Sequence, residues 1–129
     1  MARKSLPRPT DSELEILRVL WQRGPSTVRE VHEAINESRP TGYTTVLKMM
    51  QIMTEKELVQ RNEEQRAHVY EARLAQGETQ RQLLGDLIER AFDGSAKQLV
   101  MHVLSEKKAS AKDLSEIRQL LDEFERGES

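Results

Sequence analysis

The sequence predicts a mostly α-helical protein in two parts, with three helices and a short β-hairpin in the first part and further helices in the second. Charged residues make up 33% of the 129 residues and aromatic residues only 4%, which is typical of a well-solvated helical chain. Apolar residues recur at intervals of three and four along most of the sequence. This period is replaced by short strand-like runs only between Leu58 and Glu71.

Length and composition exclude several classes of protein. A chain of 129 residues holds one domain or two small lobes. It has no cysteine, which excludes disulfides and thiolate metal sites. Its longest run of large apolar side chains is three residues, so we expect a cytoplasmic chain with no signal peptide and no membrane insertion. Taken as a whole, its net charge of -2 is not typical of a nucleic-acid-binding protein.

The first two helices are predicted from their caps. Residues 1–9 contain two prolines and no acid, and we expect them to form a flexible basic arm. Thr10 followed by Glu13 is a capping-box pattern that begins helix one, and the Gly24-Pro25 pair ends it. Thr27 and Glu30 repeat the pattern for helix two, which should end in the turn-rich segment 36–42.

The third helix, over residues 43–56, has two unlike faces. Its apolar face, which we expect in the core, consists of Val46, Met49, Met50 and Met53. The opposite polar stripe consists of Thr44, Lys48, Gln51 and Glu55, flanked by Thr45 and Ile52 on one side and Leu47 on the other. Residues 58–61 and 67–71 then form a predicted two-stranded hairpin. Three helices followed by such a wing are the winged helix-turn-helix arrangement, which we assign to residues 10–73.

This arrangement predicts a DNA-binding surface. A helix that enters the major groove needs short or flexible donors and acceptors near its N-terminus. The predicted groove contacts are Thr44, Thr45, Lys48 and Gln51. Residues 38–54 contain no acid, which supports a contact between this helix and the negatively charged DNA. The predicted contacts to the DNA backbone, from arm, turn and wing, are Arg3, Lys4, Arg8, Arg39, Tyr43, Arg66 and His68.

The remaining residues, 74–129, predict a helical dimerisation module. Ser95 and Ser110 are candidate caps for its second and third helices. A lobe of this size has too small a core to stand alone, so its apolar faces should be buried on a second copy of the chain. The alternative is that they fold back on residues 10–73. The faces comprise Leu84, Leu87, Ile88, Phe92, Leu99, Val103, Leu114, Ile117, Leu121 and Phe124.

No pattern predicts an enzyme, a metal site or a cofactor. The three histidines lie on three different predicted elements, and no cysteine accompanies them. The sequence has no glycine-rich phosphate loop and no Gly-x-Ser-x-Gly motif.

The order and spacing of these segments resemble the penicillinase repressor family, the BlaI, MecI and CopY group. The resemblance covers roughly residues 10–124 and lies in residues 14–21, 27–31, 43–46, 58–59, 69–70, 92–95 and 99–100. It implies a homodimeric bacterial repressor that binds a palindromic promoter operator. It also implies a partner, a membrane metalloprotease sensor, and relief of repression by cleavage in the C-terminal module.

Several residues depart from the family pattern. Lys48 stands where the family often has threonine, and Ile52 where an arginine is common, so a different operator sequence is expected. Glu57 replaces a glycine and must avoid or tolerate a left-handed backbone. Gln65 replaces the wing-tip glycine. The Asn-Phe pair that is cut in antibiotic-responsive members aligns with His102 and Val103, and the absence of cysteine excludes the copper-sensing mode.

Two other functions remain open from the sequence. One is a winged-helix regulator that responds to a small molecule, and the other is a winged-helix protein-interaction module that binds no DNA. The second draws its support from the negative net charge. That charge is unevenly distributed, however, since residues 1–73 carry +1 and the remaining residues carry -3.

Overall fold

The computed structural model describes residues 8–64, 66–106 and 109–127. Its elements run in the order α1 (Asp11–Arg23), β1 (Ser26–Thr27), α2 (Val28–Ser38), α3 (Tyr43–Glu55), β2 (Val59–Asn62), β3 (Val69–Ala72), α4 (Gln76–Ala91), α5 (Ala96–Ser105) and α6 (Ala111–Glu125). The mostly helical class and the winged helix-turn-helix are confirmed.

The helix boundaries follow from the caps that the sequence predicts. The Glu13 amide donates to Thr10 Oγ1 at 3.2 Å, and the Thr10 amide donates to Glu13 Oε1 at 2.9 Å. Thr27 and Glu30 form the same reciprocal pair at the start of α2. Gly24 ends α1 at a φ of 86°, a conformation that costs glycine little. These caps satisfy backbone donors that a helix start otherwise leaves without partners.

The wing differs from the expected two-stranded hairpin by one additional strand. The antiparallel sheet has the order β1-β3-β2, with Ser26 opposite Tyr70 and Val59 opposite Ala72. The short strand β1 is absent from the sequence prediction because two residues are too few to show a strand period. Its pairing places the wing against the segment that leads into α2.

The core of the winged helix joins all three helices to the sheet. Ile16, Val31, Met50 and Met53 are fully buried, and Tyr70 brings the wing into the same cluster with 2% of its surface exposed. Burying a large aliphatic side chain contributes about 1.5–3 kcal/mol. The predicted apolar face of α3 is confirmed, with Met49 packed at its edge.

The turn after α3 accommodates Glu57 in a left-handed conformation, with a φ of 64°. The Glu57 amide donates to the Thr54 carbonyl at 3.1 Å, and the Leu58 amide donates to the Met53 carbonyl at 2.9 Å. This is the hydrogen-bond pattern of a Schellman motif, in which the left-handed position usually holds glycine. Glu57 therefore tolerates the strain rather than avoiding it.

The contacts within the chain divide it into two compact units, and the division falls between Leu83 and Leu84, within α4. The helical module was predicted to begin earlier, at residue 74. In the second unit, Ser95 caps α5 and Ser110 caps α6, as predicted. None of the described residues of this unit is buried. No helix in the described part of the chain is both long and apolar enough to cross a membrane.

Candidate nucleic-acid interface

The turn between α2 and α3 is held by two side chains from α2. His32 Nε2 lies 2.7 Å from the carbonyl oxygen of Thr41, and the Thr41 amide donates to Asn36 Oδ1 at 3.0 Å. Because His32 and Asn36 are four residues apart, both lie on one face of α2. Together they fix the path of the chain into α3.

Tyr43 begins α3 directly beside this contact. Its ring meets the His32 ring edge-on, with centroids 5.7 Å apart and an interplanar angle of 78°. Edge-to-face packing of this kind is favourable for aromatic rings. Tyr43 nevertheless remains 47% exposed, so its ring is oriented by His32 while part of it faces solvent.

The N-terminus of α3 is open to an anion. Its N-cap is Gly42, which provides no side-chain hydrogen bond, and the first turn contains no acid. The first amides of a helix point away along its axis and carry a partial positive charge. This end of α3 can therefore accept a phosphate oxygen, whereas the capped starts of α1 and α2 are already occupied by carboxylates.

The four predicted groove residues lie together on the solvent-facing side of α3. Thr44, Thr45, Lys48 and Gln51 are all exposed, and none of their side chains has a hydrogen-bond or ion-pair partner among the described residues. The hydroxyls and the amide can donate and accept at base edges, and the ammonium can reach a guanine or a phosphate. Their donors and acceptors are thus available to a ligand.

Two further residues define the limits of this surface. Ile52 is 41% exposed beside the polar stripe, although the other large aliphatic side chains of α3 are at least half-buried. The predicted set of contacts did not include it. Glu55, also exposed, brings a negative charge to the C-terminal end of the stripe, so the surface suited to DNA ends before Glu55.

Arg39, predicted to contact the DNA backbone, is paired with α1. Its Nη2 lies 2.6 Å from Glu15 Oε1, and this hydrogen bond raises the pKa of the Arg39 guanidinium. A guanidinium has five N–H donors, so a phosphate contact would use those that Glu15 leaves. Arg8, Arg66 and His68 are exposed, and Arg3 and Lys4 lie outside the described residues.

One arginine of the wing, Arg61, already has partners within the wing. Arg61 forms a hydrogen bond with the Tyr70 hydroxyl and an ion pair with Glu63, and these contacts raise the pKa of its guanidinium. Gln60 Nε2 on β2 donates a hydrogen bond to Glu71 Oε1 on β3 at 2.6 Å. Of the wing's arginines, Arg66 is therefore the better placed to meet a phosphate.

The predicted dimerisation residues leave much apolar surface uncovered. Phe124 is 62% exposed and Leu121 58% exposed on α6, and Leu87 is 46% exposed on α4. Leu84, Val103, Leu114 and Ile117 are also exposed, while Ile88, Phe92 and Leu99 are half-buried. His102 and Val103, the predicted cleavage region, are exposed on α5, where the His102 ring lies 5.5 Å from the ring of Phe92.

Within the described ranges, no three His, Asp or Glu side chains are grouped closely enough to bind a metal ion.

A winged helix-turn-helix whose third helix is uncapped, acid-free in its first turn and covered with available donors defines the class of DNA-binding transcriptional regulators. Residues 9–123 match the family described as penicillinase repressor. The chain is 33% identical over 123 residues to the transcriptional regulator BlaI of Mycobacterium tuberculosis, covering 95% of this chain and 88% of that protein. It therefore belongs to the penicillinase repressor family, whose members are transcriptional repressors rather than enzymes.

Other similarities agree with this assignment. The penicillinase repressor of Bacillus licheniformis is 22% identical over 120 residues, covering 93% of this chain and 94% of that protein. Solution structures of the DNA-binding domain of the repressor BlaI, and of B. licheniformis BlaI in monomeric form in complex with the blaP half-operator, each align with a TM-score of 0.51. Each alignment covers 59% of this chain and 93% of the matched chain at 22% identity. These two structures show that the chain has the same fold.

Proposed function

We propose that the chain is a homodimeric, sequence-specific repressor that binds a palindromic operator, with α3 in the major groove of each half-site. The observation that carries this proposal is the exposed and unpaired set of Thr44, Thr45, Lys48 and Gln51 beside the open N-terminus of α3. A BlaI of the same family has been solved on a half-operator, which supports the same ligand for this chain. A repressor of bacterial promoters acts in the cytoplasm, where the DNA is.

Dimerisation is the second element of the proposal. The second unit has no buried described residue, yet its helices expose large apolar side chains such as Leu87, Leu121 and Phe124. Apolar surface of this extent usually marks a protein interface. A second copy of the chain would cover it by isologous contacts and would place two reading helices on one duplex.

Release from the operator follows from the same architecture. Cleavage near His102 and Val103, by a protease such as a membrane metalloprotease sensor, would divide α5 and separate the dimerisation helices from each other. Both residues are exposed, which gives a protease access once the helix unwinds. Each lobe would then bind its half-site alone and more weakly.

The proposal is tested by titrating the full chain against DNA from upstream of its own gene, across a salt series. We expect affinity for this duplex about 10³-fold or more above that for a scrambled duplex of equal length. Equal affinity for both duplexes at every salt concentration would refute sequence-specific repression.

A matched pair of variants assigns the binding to α3. Lys48→Ala should weaken binding, and if Lys48 contacts a phosphate the slope of log affinity against log salt should fall by about one. Lys112→Ala removes a charge that is also exposed, on α6, and should leave both quantities unchanged. If the two variants behave alike, Lys48 does not face the DNA.

A further inference from the structure

The surface of α3 includes one apolar side chain that the proposed hydrogen-bonding contacts do not use. Ile52 is 41% exposed, while Val46, Met50 and Met53 of the same helix have 0–1% of their surface exposed. Ile52 is not part of the core, because α3 contributes to the core through its opposite face, with Val46, Met50 and Met53. The exposed part of Ile52 is therefore available to a ligand from outside the winged helix.

The position of Ile52 on the helix points towards the same ligand as the polar stripe. At 100° per residue, Ile52 lies about 70° from the centre of the polar stripe, whereas Thr45 lies about 90° from it. Ile52 follows Thr45 by seven residues, so the two side chains form one row along the edge of the stripe. A helix that places Thr45 in the groove also brings Ile52 near a base pair further along.

The chemistry of the groove then identifies the contact. Among the base edges of the major groove, thymine alone presents a methyl group, and all other characteristic groups there are hydrogen-bond donors or acceptors. An isoleucine side chain can form no hydrogen bond with a donor or acceptor, but contact with a methyl group removes apolar surface from water, which is favourable. We propose that Ile52 is a specificity-determining residue that reads a thymine methyl group in each half-site.

This inference rests on the proposed function, and the test separates the two. The full chain first selects duplexes from a randomised library, and each thymine of the selected site is then replaced in turn by uracil, which removes only the methyl group. The same duplexes are titrated with Ile52→Ala and with Ile52→Val. Val19→Ala, which removes aliphatic surface from α1, serves as the control for a general loss of stability.

We expect that at one thymine position in each half-site uracil weakens wild-type binding about fourfold, the effect of one buried methyl group. For Ile52→Ala the same replacement should have no effect, with Ile52→Val intermediate and Val19→Ala like the wild type. If every uracil replacement affects the wild type and Ile52→Ala equally, the inference is wrong and the proposed function stands. If the wild type selects no sequence at all, the proposed function itself fails.

Discussion

The Nζ of Lys56 lies 2.7 Å from Oε1 of Glu13, so that a salt bridge joins the C-cap of α3 to the capping box of α1. The same Glu13 carboxylate accepts the Thr10 amide at 2.9 Å, and only 5% of the residue is exposed. The carboxylate thus links the start of the first helix to the end of the helix that carries the proposed DNA contacts. Its partners compensate for the cost of burying its charge.

Replacing Glu13 by Gln should destabilise the winged helix. The substitution leaves the Lys56 ammonium without its partner and weakens the hydrogen bond to Thr10, at a cost of about 1–3 kcal/mol in the free energy of unfolding. Urea unfolding monitored by helical circular dichroism measures this change. Glu15→Gln, which alters an exposed pair on the same helix, should cost much less. Equal losses for the two variants would contradict a special role for Glu13.

The contribution of Glu13 should also depend on pH. Burial alone would raise the pKa of this carboxyl, but the hydrogen bonds from Lys56 and Thr10 and the Lys56 charge outweigh burial and lower it from 4.5. A pKa that is lower in the folded state gives stability that is present above the unfolded value and is lost as pH falls through the folded value. The difference in unfolding free energy between wild type and Glu13→Gln should therefore be constant near neutrality and shrink below pH 4.5. A difference that does not change down to about pH 3 would contradict this assignment.

His32 should act on DNA binding as a positioning residue. His32→Ala removes both the contact to the Thr41 carbonyl and the ring contact to Tyr43, so we expect operator affinity to fall about tenfold, a combined effect of the size of one hydrogen bond and one aromatic pair. The measurement is fluorescence anisotropy at a temperature where circular dichroism shows both proteins folded.

Two companion variants separate positioning from general stability. His32→Gln keeps a side-chain donor and should recover part of the affinity, whereas Gln22→Ala, at an exposed site on α1, should have no effect. If His32→Gln binds no better than His32→Ala although both are folded, the contact to Thr41 does not position the reading helix.

Breaking the proposed dimer should weaken operator binding without any change in the winged helix. Leu121→Asp places a charge on the exposed apolar face of α6 and should yield monomers in sedimentation experiments. Because the second half-site contact is then no longer intramolecular, operator affinity should fall by a factor of about 100 or more. A variant that is monomeric but retains full affinity would show that dimerisation does not contribute to binding.

Local signals account for the parts of the structure that could be predicted. The Thr10 and Thr27 capping boxes and Gly24 act within a few residues of one another, so their pattern is visible in the sequence. The apolar face of α3 was equally visible because helical spacing fixes which residues share a face.

The contacts that could not be predicted join residues that are distant in the sequence. Lys56 reaches Glu13 only because α1 and α3 pack together, and Trp21 Nε1 donates to the Leu74 carbonyl at 2.9 Å only because the chain returns to α1 after β3. The pairing of Arg39 with Glu15 has the same origin. Such pairs leave no periodic trace, so charge and type alone did not distinguish Arg39 from an unpaired arginine.

The most direct measurement of whether α3 reads operator DNA is dimethyl sulfate protection of guanine N7, an atom exposed in the major groove. With the full chain bound to its upstream DNA, we expect two protected regions whose centres are separated by one helical turn, about 10 base pairs, or a multiple of it. Lys48→Ala should lose protection at a symmetric pair of guanines only, and Lys112→Ala should lose none. An unprotected major groove would contradict the assignment of α3 as the reading helix, and a pattern that Lys48→Ala leaves unchanged would contradict a guanine contact by Lys48.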